Sequence, residues 1–213
     1  MATATKWSNI GIAVQSALAA ADTITGITKA NPGVVTATAH GLNNGDIVVL
    51  TVSGMYQLDG RVVRIANKTT DTFELEGVNT TSFDTFTSGT AEAITFGTTV
   101  ATATSVSASG GDFDFIDVTT IHDNVKKQIP GLANPSTFTF ENIWDVSDAG
   151  LVALKDASDT QGKRAVRFTF ANGQKLYFTG YIGATLLPTG NAQEVVKTSV
   201  VVTMFGRPTV YSA

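Results

Sequence analysis

Short apolar runs broken by turn-forming residues dominate the first part of the chain. Val34–Thr38, Ile47–Val52, Arg61–Ala66 and Thr72–Glu76 are bounded by Asn31-Pro32-Gly33, Asn43-Asn44-Gly45-Asp46 and Asp59-Gly60. Asn, Asp, Gly and Pro each favour turns for their own backbone reasons, so this punctuation predicts a series of short strands closing into a small barrel or sandwich. From about Ile94 the pattern changes to longer stretches of period two. Phe113 and Phe115 alternate with Asp112 and Asp114; Val166, Phe168 and Phe170 share one face with Arg167 and Thr169 on the other. The turn Ala171-Asn172-Gly173-Gln174 leads into Leu176, Phe178 and Ile182, alternating with Tyr177, Thr179 and Tyr181. Two alternating strands around Asn-Gly predict a hairpin. A last strand over Val195–Phe205 gathers Val196, Val200, Val202 and Met204 on one face and Lys197, Ser199 and Thr203 on the other.

One helix fits the pattern. Leu151 and Leu154 recur at helical spacing, Asp145 or Ser147 is placed to cap the free amides of the first turn, and Ser158–Gly162 ends it. Thr98–Ser109 is nearly all small or β-branched and lacks two distinct faces, which suits either an extended strand or a loop that a neighbouring subunit completes. The fold class is therefore mainly β with one flanking helix.

Composition narrows the chemistry. Among 213 residues, apolar types make up 43% and charged types 15%, below the roughly 25% of an ordinary soluble domain. The expected surface is thus small and polar, or hidden by assembly. A net charge of −4 offers no basic footprint for tight nucleic-acid binding, and the lack of cysteine removes thiol chemistry and disulfides. No apolar run is long enough to span a membrane. Ile10–Asp22 has the small residues of a signal-peptide cleavage region, but Lys6 is the only basic residue before it and Gln15 and Ser16 interrupt it. It reads as a first strand and a small-residue connector.

No catalytic set is visible. His40, in AHGLNNGD, suits a turn; His122 beside Asp117 and Asp123 is one histidine among carboxylates. Asp112, Asp114 and Asp117 lack the glycine and terminal glutamate of a calcium loop, and their alternation with Phe reads as a solvated face over a core face. Gly110-Gly111 is not a phosphate loop, and Lys126-Lys127 and Lys163-Arg164 are too brief for a nucleic-acid patch. No cofactor, metal site or enzymatic activity is expected.

FDFIDVTTIHDNVKKQIPGLANPSTFTFENIWDVSDAG, followed by RFTFANGQKLYFTGYI and VVKTSVVVTMFGRPTV, resembles the major tail tube proteins of non-contractile, long-tailed bacteriophages. The residues carrying the likeness are Ile129, Pro130, Gly131 and Leu132, then Asn142 and Trp144, with KWSNIGIAVQSAL as the first strand. Between them, TATAHGLNNGDIVVLTVSG and YQLDGRVVRIANKTTDTFELEG resemble the small β half-domain (FCCH) of ubiquitin-activating enzymes, without its host's catalytic cysteine. The two likenesses imply a discontinuous tube domain over residues 1–22 and 94–213, interrupted by a decoration module over residues 23–93.

The resemblance implies a two-sheet β fold whose copies close into hexameric rings, stacked into a tube through which DNA is ejected. It implies a virion component assembled in the host bacterial cytoplasm. Its partners are then further copies of itself, the tape measure protein, the tail-tip and terminator proteins, and double-stranded DNA in passage, with no membrane insertion. For a bore that lets DNA slide, acidic and small polar faces are the candidates: Asp112, Asp114, Ser199 and Thr203, with Lys197 offset by Glu194. Two other readings stay open at this point. One is the tube of a contractile tail or related injection machine. The other is a phage adhesin or carbohydrate-binding β module, which needs an exposed aromatic platform where Trp7 and Trp144 instead read as core.

Overall fold

The computed structural model describes residues 10–212. Trp7 and the start of the opening segment lie outside the described residues. In chain order the strands are β1 (Gly11–Val14), β2 (Ala17–Leu18), β3 (Asp22–Ile24), β4 (Gly26–Ile27), β5 (Val34–Thr36), β6 (Ile47–Ser53), β7 (Val62–Ala66), β8 (Thr72–Leu75) and β9 (Ser88–Thr95). They continue with β10 (Thr98–Val100), β11 (Ala103–Ser109), β12 (Phe113–Asp117), β13 (Gln128–Ala133) and β14 (Thr137–Ile143). Helix α1 (Ala149–Asp159) then precedes β15 (Lys163–Thr169), β16 (Lys175–Gly183) and β17 (Lys197–Tyr211). The described residues are all-β apart from α1 and a single 3-10 turn at Tyr56–Leu58.

The short strands form a barrel. Its pairing order is β9-β6-β7-β8-β5-β4, and β3, one residue before β4, pairs with the far side of β9. The segment Asp22–Ile27 thus belongs to both edges and closes the sheet on itself, which removes its free edges. Inside lie Val35, Leu50, Met55, Leu58, Phe73 and Leu75, all fully buried. The turn chemistry works locally: Asp46 Oδ2 accepts from the Asn43 amide at 2.7 Å, and Asp59 Oδ1 from that of Val52 at 3.1 Å. His40 does shape a turn. Its Nδ1 accepts from the Leu42 amide at 3.1 Å, leaving Nε2–H to donate to the Thr72 carbonyl at 3.3 Å, with the ring edge-on to Phe73.

The longer strands form a second sheet in the order β10-β1-β15-β16-β17-β14-β11, antiparallel at each pairing. This sheet curls. Strands two apart in a flat sheet are separated by about 9.5 Å, yet Phe138 of β14 stacks on Phe178 of β16 at 4.8 Å, and Phe140 meets Phe168 of β15 edge-on at 5.7 Å. β14 and β15 therefore face each other across one core, and their outer faces point in opposite directions.

Helix α1 closes one side of this core with Leu151, Leu154 and Ala157. Its cap is Asp148, whose Oδ1 accepts from the Leu151 amide at 2.8 Å, not Asp145 or Ser147 as the sequence suggested. Asp145 instead accepts from the Ser147 amide and hydroxyl, a turn one step before the helix. An aspartate two residues before a serine satisfies that turn as readily as a cap, so the sequence offered both. Gly150 is required by contact: a Cβ there would sit 2.5 Å from Val100 Cα.

Candidate self-assembly surface

Thr98–Ser109 becomes two strands at opposite edges of the curled sheet. β10 pairs with β1, and β11 pairs with β14 and, among the described residues, has no strand on its other side. The registers then fix one outward face. Thr137 lies opposite Thr203, Thr139 opposite Val201, and Glu141 opposite Ser199; on the other flank Ser109, Ser107 and Ser105 lie opposite the same three β14 residues. Alternation sends Val106, Phe138, Phe140, Val200 and Val202 inward. The outward wall of β11–β14–β17 is thus mostly Ser and Thr, with one carboxylate, Glu141, and an exposed Val201 among them. Ser199 and Thr203 lie on it together. Lys197 pairs with Ile143 at its end, and Glu194 accepts from Asn191 at 3.1 Å rather than offsetting the lysine.

On the β15–β16 flank the outward face is not solvated. Ala165, Tyr177 and Tyr211 form a third core cluster with Val62 and Ile94, where the barrel packs against the sheet. The sequence ended the last strand at Phe205, but β17 continues to Tyr211 past a bulge at Gly206, whose φ is 76°. The extension reaches the barrel. Arg61 Nε donates to Thr209 Oγ1 at 3.1 Å, the Arg64 amide donates to Tyr211 Oη at 2.7 Å, and the Arg64 guanidinium lies 4.6 Å from the Tyr211 ring centroid. Thr179 Oγ1 lies 2.6 Å from the Gly60 carbonyl and 2.7 Å from that of Phe205. Burial pushes both the Tyr211 and Tyr177 phenols above the usual tyrosine range and lowers Arg61. Arg64 also pairs with Glu76, which its hydrogen bonds hold below the usual carboxylate range.

The sequence did not reveal this clamp. Alternation placed Tyr177 and Thr179 opposite the Leu176–Phe178–Ile182 face, and Thr209 lies past the strand end at Phe205 that the sequence suggested.

β12 and β13 pair only with each other and project beyond the curled sheet. Here the sequence reading fails: Phe113 and Phe115 do not form a core face, being 53% and 61% exposed. Among the described residues no third strand or helix lies over the hairpin, and its residues are exposed on both faces. Asp112 and Asp114 stand at its root, past Gly110-Gly111, and Asp114 Oδ1 accepts from Asn134 Nδ2 at 3.1 Å. Ile129, Pro130, Gly131 and Leu132 belong to β13, with Leu132 87% exposed. Asn142 is fully buried in β14, its Nδ2 donating to the Phe140 carbonyl at 3.2 Å. Trp144 is not core: it is 39% exposed, held by its Nε1–H donating to the Leu186 carbonyl at 2.9 Å. The loop 186–196 ties down only the indole's edge and leaves its own Leu187, Val195 and Val196 exposed.

Among the described residues no group of three or more His, Asp or Glu is placed to hold a metal, and no helix is long and apolar enough to cross a membrane. What the surface offers is strand edges and faces for other protein. That is the character of a β-rich assembly subunit. The phage tail tube protein family matches residues 53–213, and the chain belongs to that family. Its role is structural, as a component of the virion that assembles into the tail tube. No curated protein matches it.

Proposed function

We propose that the chain closes into hexameric rings whose bore is the Ser/Thr wall of β11–β14–β17, and that DNA passes along that wall during ejection. The observation that carries this reading is the opposition of the sheet's two outer faces. The barrel occupies the β15–β16 face, so when β11–β14–β17 faces inward the barrel stands on the outside of the tube. The free side of β11 is available for pairing with the next copy around the ring, which removes an exposed edge. The number six comes from the family resemblance. Asp112 and Asp114 lie at the rim of this wall, where the hairpin leaves the sheet.

A wall of hydroxyls with Glu141 and Val201, its single lysine, Lys197, lying at the end, suits a sliding polyanion. Each Lys or Arg contact to phosphate adds salt-dependent affinity, which a conduit must avoid. The barrel, residues 23–93 in the sequence reading, is a decoration inserted after the first tube strand, in keeping with its separate core. The tape measure, terminator and tail-tip proteins act as partners at the tube's interior and two ends, with assembly in the host cytoplasm.

Replacing Ser199 and Thr203 together with Lys in the phage tests the wall. Particles with complete tails that eject slowly, with the delay relieved by added salt, support it. Normal ejection from intact Ser199→Lys/Thr203→Lys particles removes these residues from the bore.

A further inference from the structure

Two glycines meet where the barrel touches the last strand, and each is followed by an arginine. A Cβ on Gly206 would sit 2.7 Å from the Asp59 carbonyl oxygen and 3.1 Å from the Gly60 carbonyl carbon, so β17 and the Asp59-Gly60 turn are in backbone contact. Arg61 and Arg207 both start from that contact. Arg61 is half-buried, and its Nε donates to Thr209 Oγ1 at 3.1 Å, two residues beyond Arg207 on the same strand. Alternation puts Arg207 on the face of Thr209 and Tyr211. Among the described residues nothing accepts from the two terminal nitrogens of Arg61, and neither nitrogen is sealed from solvent. Arg207 is exposed and, among the described residues, has no ion-pair partner. Burial lowers Arg61, the Tyr211 phenol works against that lowering, and the Arg207 charge adds to it; no carboxylate acts on it. Arg64, three residues on, has Glu76 instead.

We infer that Arg61 and Arg207 together hold a free oxyanion of the phosphate class at the junction of barrel and tube sheet. A guanidinium cannot shed its charge, so the repulsion between the two stays until an anion is drawn in. Each presents a planar fork that matches two oxygens of a phosphate. The bond from Arg61 Nε to Thr209 already fixes one fork, so little side-chain freedom is lost when the anion arrives. Access is open as well. Arg207 lines a depression of about 400 Å³ with Asn134 and Ser136, and no carboxylate is among its described lining residues. A water takes about 30 Å³, so a phosphate fits there with part of its hydration. Asp114 is tied to Asn134 Nδ2 at 3.1 Å and pairs with neither arginine. A dianion held by Arg61 and Arg207 bridges the barrel to β17 and fastens the junction that Tyr211 also holds. The site goes beyond the tube reading and is the same whichever face of the sheet lines the bore.

Inorganic phosphate titrated calorimetrically into unassembled subunits, with ionic strength held constant by chloride, tests the pair. It should bind once per subunit with a Kd of about 1 mM, the affinity of two charge-assisted contacts less the cost of immobilising the ion. At ten times that Kd, mass action should raise the melting temperature by about 3–6 °C, and the rise should level off. Exclusion of phosphate from the protein surface also stabilises the fold, but it grows without levelling and acts alike on every variant. Arg207→Gln changes an exposed side chain. It should weaken phosphate binding about tenfold or more and lose the saturable rise. Arg61→Lys keeps a charge at the half-buried position without the fork and should also bind more weakly; it supplies the comparison should Arg207→Gln not fold. No saturation by about 30 mM phosphate overturns the site. Binding as tight in either variant as in the parent places the ion elsewhere and overturns it too.

Discussion

Tyr211 holds the barrel to the tube sheet, and its removal has a calculable effect. The side chain is 5% exposed, its ring packs edge-on against Tyr177 at 5.9 Å, and its Oη accepts the Arg64 amide proton. Tyr211→Phe keeps the ring and strands that amide, which costs about 1–2 kcal/mol at a partly buried site. Tyr211→Ala removes the ring as well, adding about 3–5 kcal/mol by analogy with buried aromatic truncations. The expected total for Ala is about 4–7 kcal/mol. At about 2–4 °C per kcal/mol for a chain of this size, the Phe variant should melt roughly 2–8 °C lower. Urea titration of unassembled subunits, followed by circular dichroism, measures both. The Ala variant should also show two separated transitions, since the barrel and the curled sheet have distinct cores that this cluster joins. A Tyr211→Ala protein within about 1 kcal/mol of the parent, unfolding in a single step, refutes the clamp; the 1 kcal/mol margin is one lost hydrogen bond.

Three further outcomes follow from the same contacts. Gly150→Ala forces a Cβ onto the backbone of Val100 and should destabilise by about 1–3 kcal/mol despite alanine's better helix propensity, read by thermal melting. Because burial raises the Tyr177 and Tyr211 phenols, the folded state keeps protons that the unfolded chain releases near pH 10. Stability should therefore be intact below that pH and fall as pH rises above it, with a shallower fall in Tyr211→Phe when urea midpoints are compared. Joining Asp22 to Ile94 by a Gly-Ser linker should leave tubes of thinner outer profile in electron micrographs, provided Tyr177 and Tyr211 are made polar to suit their new exposure.

Much of the fold was legible because period-two alternation over a core is a local signal. The Asn172-Gly173 hairpin, the inward Val200–Val202 face of β17 and the short barrel strands all followed from it. Asp148 was missed as the cap because three short polar residues precede the helix and only geometry chooses among them. The hairpin and the clamp failed for a common reason. Alternation tells which residues share a face, not what covers that face. Phe113 and Phe115 looked like core and lie open, while Tyr177 and Thr179, placed opposite the core face, are buried against the barrel. Ser199 and Thr203 could be grouped from sequence, but only the register with β14 and β11 joined them to Ser105, Ser107, Thr137 and Thr139 as one wall.

The central claim is the direction in which the curled sheet faces within the tube. A reconstruction of assembled tubes by electron cryomicroscopy tests it most directly. The account predicts Ser199, Thr203 and the β11 serines on the lumen surface, with the barrel as an outward knob. A tube with the barrel in the lumen, or with β11–β14–β17 turned to the outside, contradicts it.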